Sequence, residues 1–259
     1  DAQESRGLGD VYKRQAQIGS TNNYLRELLT KDPELPAYTI VDTHTQTSGR
    51  GQRGNSWESE PGKNISCSIL LRPELPHGVT TFDLNRVTSL ALFTLLSHYI
   101  QPAEIAIKWP NDLLIGRRKI AGILTENEWL GDRLNYTIVG IGLNVKQTQF
   151  GDYHPVATSL ALEGITFPEN YEAWHHSMVR EIAQLLQQEV EQLADDVEVL
   201  RKLYHQHLYG YQQEQEYQLP SGERFFGTIQ QVLPNGLLEI ESATRGKEHF
   251  AFKEISTIL

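Results

Sequence analysis

Leu113-Leu114-Ile115-Gly116-Arg117-Arg118-Lys119-Ile120-Ala121-Gly122-Ile123-Leu124-Thr125-Glu126 reads as a β-hairpin. Two apolar runs, 113–115 and 119–126, flank Gly116-Arg117-Arg118, a turn suited to joining antiparallel strands. Upstream, residues 104–109 form a strand that stops at Pro110. Downstream, residues 136–145 form another, with Gly140 and Gly142 at alternate positions. Glycine weakens a strand, and often marks the close approach of a ligand or another backbone. Further out, residues 64–71 alternate: Ile65, Cys67, Ile69 and Leu71 face one way, Ser66 and Ser68 the other. That period predicts a half-buried strand. Residues 37–42 read as a strand, and 82–100 as a core helix beneath the sheet. Ser20 is placed to cap a short helix over 21–29. Residues 170–193 and 197–208 form a helical pair with an acidic outer side. From residue 211 short strands at 215–219, 224–233, 237–241 and 248–252 alternate with turns, a small all-β barrel.

The chain has 259 residues, long enough for one large domain and a small one. Lys and Arg number 23 against 33 Asp and Glu, a net charge of −10 that argues against general nucleic-acid binding. No apolar run reaches the roughly 18 residues needed to span a bilayer, and no secretory leader is visible. The single cysteine, Cys67, excludes an internal disulfide framework and fits a reducing, cytoplasmic setting. Residues 1–15 look foreign: Asp10-Val11-Tyr12-Lys13-Arg14-Gln15 matches one reading frame of a transposon-end sequencing adapter. They are set aside as non-native, with a catalytic domain expected over 16–210 and the barrel over 211–259.

Gly49-Arg50-Gly51-Gln52-Arg53-Gly54-Asn55-Ser56-Trp57 is the strongest chemical signal. Glycine lets backbone N–H groups approach a ligand, and arginine offers a planar fork of donors for phosphate or carboxylate. The loop is not a Walker motif, since no Gly-Lys-Ser/Thr follows. It spells the dinucleotide spacing at Gly49, Gly51 and Gly54, but no helix opens after it. By itself such a Gly/Arg-rich segment is more often a plain surface loop.

Four further segments complete a constellation: Ser20-Thr21-Asn22, Lys108-Trp109-Pro110-Asn111-Asp112, the strand Lys119 to Glu126, and Gly140-Ile141-Gly142-Leu143-Asn144-Val145. Together and in this order they resemble biotin–protein ligases, the biotin–acetyl-CoA-carboxylase ligase family. The resemblance implies an α+β fold: a mixed, largely antiparallel sheet with helices, of the class II synthetase-like kind, followed by a small SH3-like barrel. It implies that biotin and ATP give biotinyl-5′-adenylate and pyrophosphate, and that a lysine of a biotin carboxyl carrier domain then displaces AMP. Mg²⁺ is expected with ATP, without an assignable protein ligand.

Position by position, the resemblance assigns Ser20, Thr21 and Asn22 to the biotin head, and Gln46 to a polar contact before the loop. Arg50, Gly51 and Gln52 are assigned to loop closure, and Lys108 to the carboxylate and α-phosphate. Lys108 and Arg50 are the catalytic candidates. Arg53, Trp57 and Asn144 are assigned to the nucleotide side. Each has a plainer alternative: Ser20 as a helix cap, Lys108 as solvated surface, Trp57 as a staple of the loop to the core. Asp112 and Glu126 read as structural hydrogen-bonding groups, Arg117-Arg118-Lys119 as a solvated turn, and His205 and His207 as helix surface. No histidine spacing suggests a metal.

Gln52 stands where the family often has arginine, and Gly19 where an acidic residue commonly precedes the Ser-Thr pair. Some relatives carry an N-terminal helix-turn-helix; nothing before Ser20 reads as one, so operator binding is not expected, nor is a membrane partner. A monomer or a homodimer fits equally. The rival readings are a lipoate ligase of the same fold and a non-catalytic biotin or adenylate sensor.

Overall fold

The computed structural model describes residues 3–7 and 10–259, and the side chains from residue 11 onward except those of Arg53 and Ala194. Its larger sheet takes strands in the order β1-β2-β3-β4-β8-β7-β6-β5. In chain order these are β1 (Gln3–Gly7), β2 (Asp10–Ile18), β3 (Ile40–Gln46), β4 (Ile65–Leu71), β5 (Ile105–Lys108), β6 (Asp112–Ile115), β7 (Arg118–Leu130) and β8 (Arg133–Leu143). Every pairing is antiparallel except β2 with β3. The opening hairpin forms as expected, with Gly116 at φ 58° in its two-residue turn.

Helix α1 (Thr21–Lys31) covers one face of this sheet, where Leu25 and Leu29 pack with Val41, Leu70 and Ile138. Helices α2 (Thr81–Ser97), α3 (Tyr171–Asp195) and α4 (Val197–Gln206) lie on the other side, over a core that includes Ile65, Cys67, Ile69, Val139 and Ile141. Covered on both faces, β4 is buried along its whole length rather than half-buried as its alternation predicts.

Residues 10–15, set aside in the sequence reading, are drawn into the sheet as most of β2. The Tyr12 ring is 3% exposed, with its hydroxyl donating to Asp42 Oδ2 at 2.8 Å. His175 Nε2 lies 3.1 Å from the same carboxylate, and Arg14 Nε 3.6 Å. A tyrosine that can bury its ring and still satisfy its hydroxyl gains from sheet addition whatever the origin of the segment.

The C-terminal strands β9 (Glu214–Gln218), β10 (Arg224–Val232), β11 (Leu238–Ser242), β12 (Gly246–Phe250) and β13 (Ser256–Thr257) form an antiparallel sheet ordered β12-β11-β10-β9-β13. Strand β13 was not foreseen; two residues carry no readable period. The mixed, largely antiparallel sheet with a small β module is the expected α+β architecture. None of the helices among the described residues is long and apolar enough to cross a membrane.

The module docks through the turn that leaves β10. Fully buried Arg86 donates to Val232 O at 2.9 Å and Leu233 O at 2.7 Å. His205 and His207, expected on the helix surface, are packed instead: His205 Nε2 accepts from Val232 N at 2.8 Å, and His207 stacks on Phe93. Burial and the nearby Arg86 charge push His205 down to about 4 from 6.5. Its folded value lies below the unfolded one, so the docking is intact above pH 6.5 and weakens as pH falls toward 4. Proton uptake at His205 removes the acceptor for Val232 N–H. A His205→Gln chain is expected to lose that part of the acid sensitivity in urea unfolding at pH 7 and pH 5; an unchanged pH dependence would place its origin elsewhere.

Candidate active site

Pairing register builds the site. Lys108 lies opposite Asp112, Asp112 opposite Gly122, Gly122 opposite Gly142, and Gly142 opposite Ser66. Directly opposed residues share a face, so these five form one row across five strands. Two glycines in its middle leave a trough on the face that carries α1.

The glycine-rich loop fills that trough with its own indole. A Cβ on Gly142 would sit 2.2 Å from the Trp57 ring, and one on Gly122 3.1 Å from it. One row along, a Cβ on Gly140 would sit 2.3 Å from Asn22 Oδ1. The close approach inferred for Gly140 and Gly142 is thus made by side chains of this chain. The loop folds back on itself through an Arg50–Ser56 bridge, with Trp57 N donating to Gly49 O at 3.0 Å and Gly51 N to Asn55 O at 2.7 Å. At Gly49 any side chain would strike the Trp57 carbonyl, 2.2 Å from its Cβ.

At one end of the row stand three charges. Lys119 Nζ is 2.6 Å from Asp112 Oδ1 and 5.6 Å from the centre of a Trp57 ring. Burial pushes Lys108 below the ordinary lysine range; the Asp112 carboxylate opposes this, and Lys119 adds to it. Lys119 therefore belongs to the site, although its neighbours Arg117 and Arg118 face solvent like an ordinary turn. Its place follows from the β6–β7 register, which shifts between Leu113 and Leu114 and so sets Asp112 opposite Gly122.

At the other end, Gln46 Oε1 accepts from Thr21 N at 2.9 Å and from Thr21 Oγ1 at 3.3 Å. Ser20 occupies the N-cap position, but its side chain makes no capping bond; Gln46 serves the first turn instead. Asn22 accepts from Ser68 Oγ and donates to Glu126 Oε2 at 2.8 Å. Ser20, Thr21 and Asn22 are all buried at the start of α1.

Arg50 does not meet Lys108. Its guanidinium donates to Asn23 Oδ1 at 2.7 Å and pairs with Glu126 Oε1 at 2.8 Å. Glu126 lies four residues beyond Gly122 on β7, about 13 Å at roughly 3.3 Å per residue. Both cations are on the same face, at opposite ends. Burial pushes the Glu126 carboxyl up, but the Asn22 hydrogen bond and the charges of Arg26 and Arg50 outweigh it and hold it below the usual glutamate range. Gly51 and Gln52 lie half-buried in the loop, Gln52 opening a short 3₁₀ turn. Arg53's side chain lies outside the described residues. Asn144 turns its amide to Thr158 O at 2.9 Å, clamping the following loop rather than facing the trough.

Two polar atoms on the trough have no hydrogen-bond partner among the described residues: buried Trp57 Nε1 and Ser66 Oγ. Ser66 is 4% exposed and directly opposite Gly142. Such groups cost free energy when buried alone.

Cations at one end and amide and hydroxyl groups at the other suit an elongated ligand with an acidic end and a neutral polar head, which could lie on the glycine floor once the Trp57 indole moves aside. Residues 15–144, half of the chain, match the biotin/lipoate A/B protein ligase family. The chain belongs to that family. It is 37% identical over 149 residues to the bifunctional ligase/repressor BirA of Bacillus subtilis, a span covering 56% of this chain and 44% of that protein. It is also 37% identical over 131 residues to the biotin–[acetyl-CoA-carboxylase] ligase of Paracoccus denitrificans, 50% of this chain and 52% of the relative. The chain spans about half the length of the curated relatives it matches. In architecture it resembles the biotin protein ligase of Aquifex aeolicus in complex with biotin and ATP, with a TM-score of 0.73 at 20% identity over 95% of this chain and 98% of that one. At that identity the likeness establishes the fold.

Proposed function

We propose that this chain is an ATP-dependent biotin–protein ligase. Biotin's carboxylate oxygen attacks the α-phosphorus of ATP, pyrophosphate leaves, and biotinyl-5′-adenylate forms. The neutral ε-amine of a carrier-domain lysine then attacks the acyl carbon; AMP leaves and the amine loses a proton. The observation that carries this reading is the lysine pair at one end of a glycine-floored trough whose other end is lined by Thr21, Asn22 and Gln46.

Two anions must meet for the first step, so fixed positive charge is required where the new bond forms. Lys119 and Lys108 supply it; Asp112 pairs directly with Lys119, and its charge favours the ammonium form of desolvated Lys108. Thr21, Gln46 and Asn22 orient the ureido head, and Ser66 Oγ offers a further polar contact along the floor. Mg²⁺ would accompany ATP and supply neutralisation of the polyphosphate charge. Among the described residues no group of three His, Cys, Asp or Glu side chains could hold a metal alone.

Arg50 closes the loop over the adenylate. Its pair with Glu126 is 41% and 20% exposed on the two sides, a kind worth about 1 kcal/mol or less, so a phosphate can compete for the guanidinium. Arg50→Ala is expected to raise the adenylate off-rate about tenfold while changing biotin affinity less than twofold; an unaltered off-rate would leave Arg50 without this role.

The same reading takes residues 16–210 as the catalytic domain, 211–259 as the barrel, and the cytoplasm, with its reduced thiols, as the setting. Residues 1–15 are taken in this reading as foreign to the natural chain; finding them encoded in the same frame on long reads across the gene would overturn that. The partner is a carboxylase carrier domain, with the ligase monomeric or homodimeric. ATP–pyrophosphate exchange measured separately with biotin and lipoate tests the substrate. Exchange with biotin is expected; exchange with lipoate alone would reassign the chain within its family.

A further inference from the structure

We propose that the barrel turn at residues 232–236 positions the Lys108–Asp112 corner, acting through the Trp109 indole. This rests on the reading that the corner activates biotin. Trp109 directly follows Lys108, and its buried Nε1 donates to Gly236 O at 2.9 Å, a bond between the two modules. The three residues joining β5 to β6 are each pinned from a different side. The barrel turn holds Trp109; Asn85 Nδ2 of α2 donates to Pro110 O; Asn111 Nδ2 donates to Ile123 O of β7 at 2.6 Å. Ile123 N returns a bond to Asn111 O at 2.9 Å.

The turn has no slack to absorb a shift. Arg86 holds the carbonyls of Val232 and Leu233, His205 holds Val232 N–H, and Thr80 Oγ1 donates to Pro234 O. Gly236 adopts φ 88°, a conformation that strains other residues, and a Cβ there would lie 2.6 Å from the Phe82 ring. Small displacements near reacting atoms cost rate steeply, so a turn that fixes Trp109 fixes the ammonium one residue before it. The biotin-head groups Thr21, Gln46 and Asn22 lie at the far end of the trough and do not touch the barrel turn. Trp109 and Gly236 are thus positioning residues for the phosphate end alone.

The full-length chain tests this through steady-state biotin-dependent ATP–pyrophosphate exchange. Trp109→Phe keeps the ring and removes the N–H; Gly236→Ala pushes the turn away from Phe82. Each is expected to lower kcat about tenfold with the KM for biotin unchanged, at a temperature where thermal unfolding shows the variant folded. The double variant should be no slower than the slower single one, because both break one coupling. Full kcat in folded Trp109→Phe, equal changes in kcat and KM, or losses that multiply in the double variant would each overturn the inference while wild type remains active. A wild type without biotin-dependent exchange would remove the functional reading and this inference with it.

Discussion

Lys119→Ala is expected to slow biotin-dependent ATP–pyrophosphate exchange by about 10²–10³-fold, the usual cost of deleting one preorganised charge from a developing oxyanion. Its ammonium is the one that reaches both Asp112 and the Trp57 ring above the glycine floor. Lys119→Arg should recover little, since a planar fork does not replace a point charge held against one carboxylate oxygen. Lys108→Ala is expected to be comparably damaging for a second reason. With Lys108 gone, Lys119 remains paired with Asp112 and no second ammonium in that corner offsets the carboxylate. Thermal unfolding should show both variants folded, as neither side chain contributes to the hydrophobic core. Exchange within threefold of wild type in Lys119→Ala would remove it from the chemistry.

Arg86→Met is expected to lower stability by about 3–5 kcal/mol, the range for deleting one partner of a buried pair. The loss should sit toward 3 kcal/mol, because Asp83 keeps Arg201, whose Nη2 lies 2.7 Å from Asp83 Oδ2. What Met cannot replace are the donors to Val232 and Leu233 carbonyls, which tie α2 to the barrel. Burial pushes the Asp83 carboxyl up, but bonds from Arg201 and Thr80 N–H and the nearby guanidinium charges hold it below the usual aspartate value of 3.8. The native state therefore needs these cations at neutral pH. Urea unfolding followed by circular dichroism measures the change; a loss under about 1 kcal/mol would mean the guanidinium is replaced by water without consequence.

Local signals were legible and non-local ones were not. The 116–117 turn, the α2 span and the four longer barrel strands follow from glycine placement and short apolar runs, which act within a few residues. Register is different. The β6–β7 pairing shifts between Leu113 and Leu114, and that shift decides that Asp112 lies opposite Gly122 beside Lys119. No period in the sequence encodes it, so a lysine one strand away was favoured and Lys119 was taken for part of a solvated turn. Arg50's choice of Glu126 over the lysine corner likewise depends on a partner 76 residues away. His205 looked exposed on a short helix because the barrel strand that covers it comes later in the chain, and His207 because it stacks on Phe93 of a helix far earlier.

Incubation of the chain with ATP, Mg²⁺, biotin and a carboxylase carrier domain, followed by intact-mass measurement of the carrier, interrogates the chemistry in one step. A gain of a single biotinyl group on the acceptor lysine, absent when ATP is withheld, is the expected result. A carrier of unchanged mass beside a folded, biotin-saturated chain would contradict the assignment of this trough to vitamin transfer.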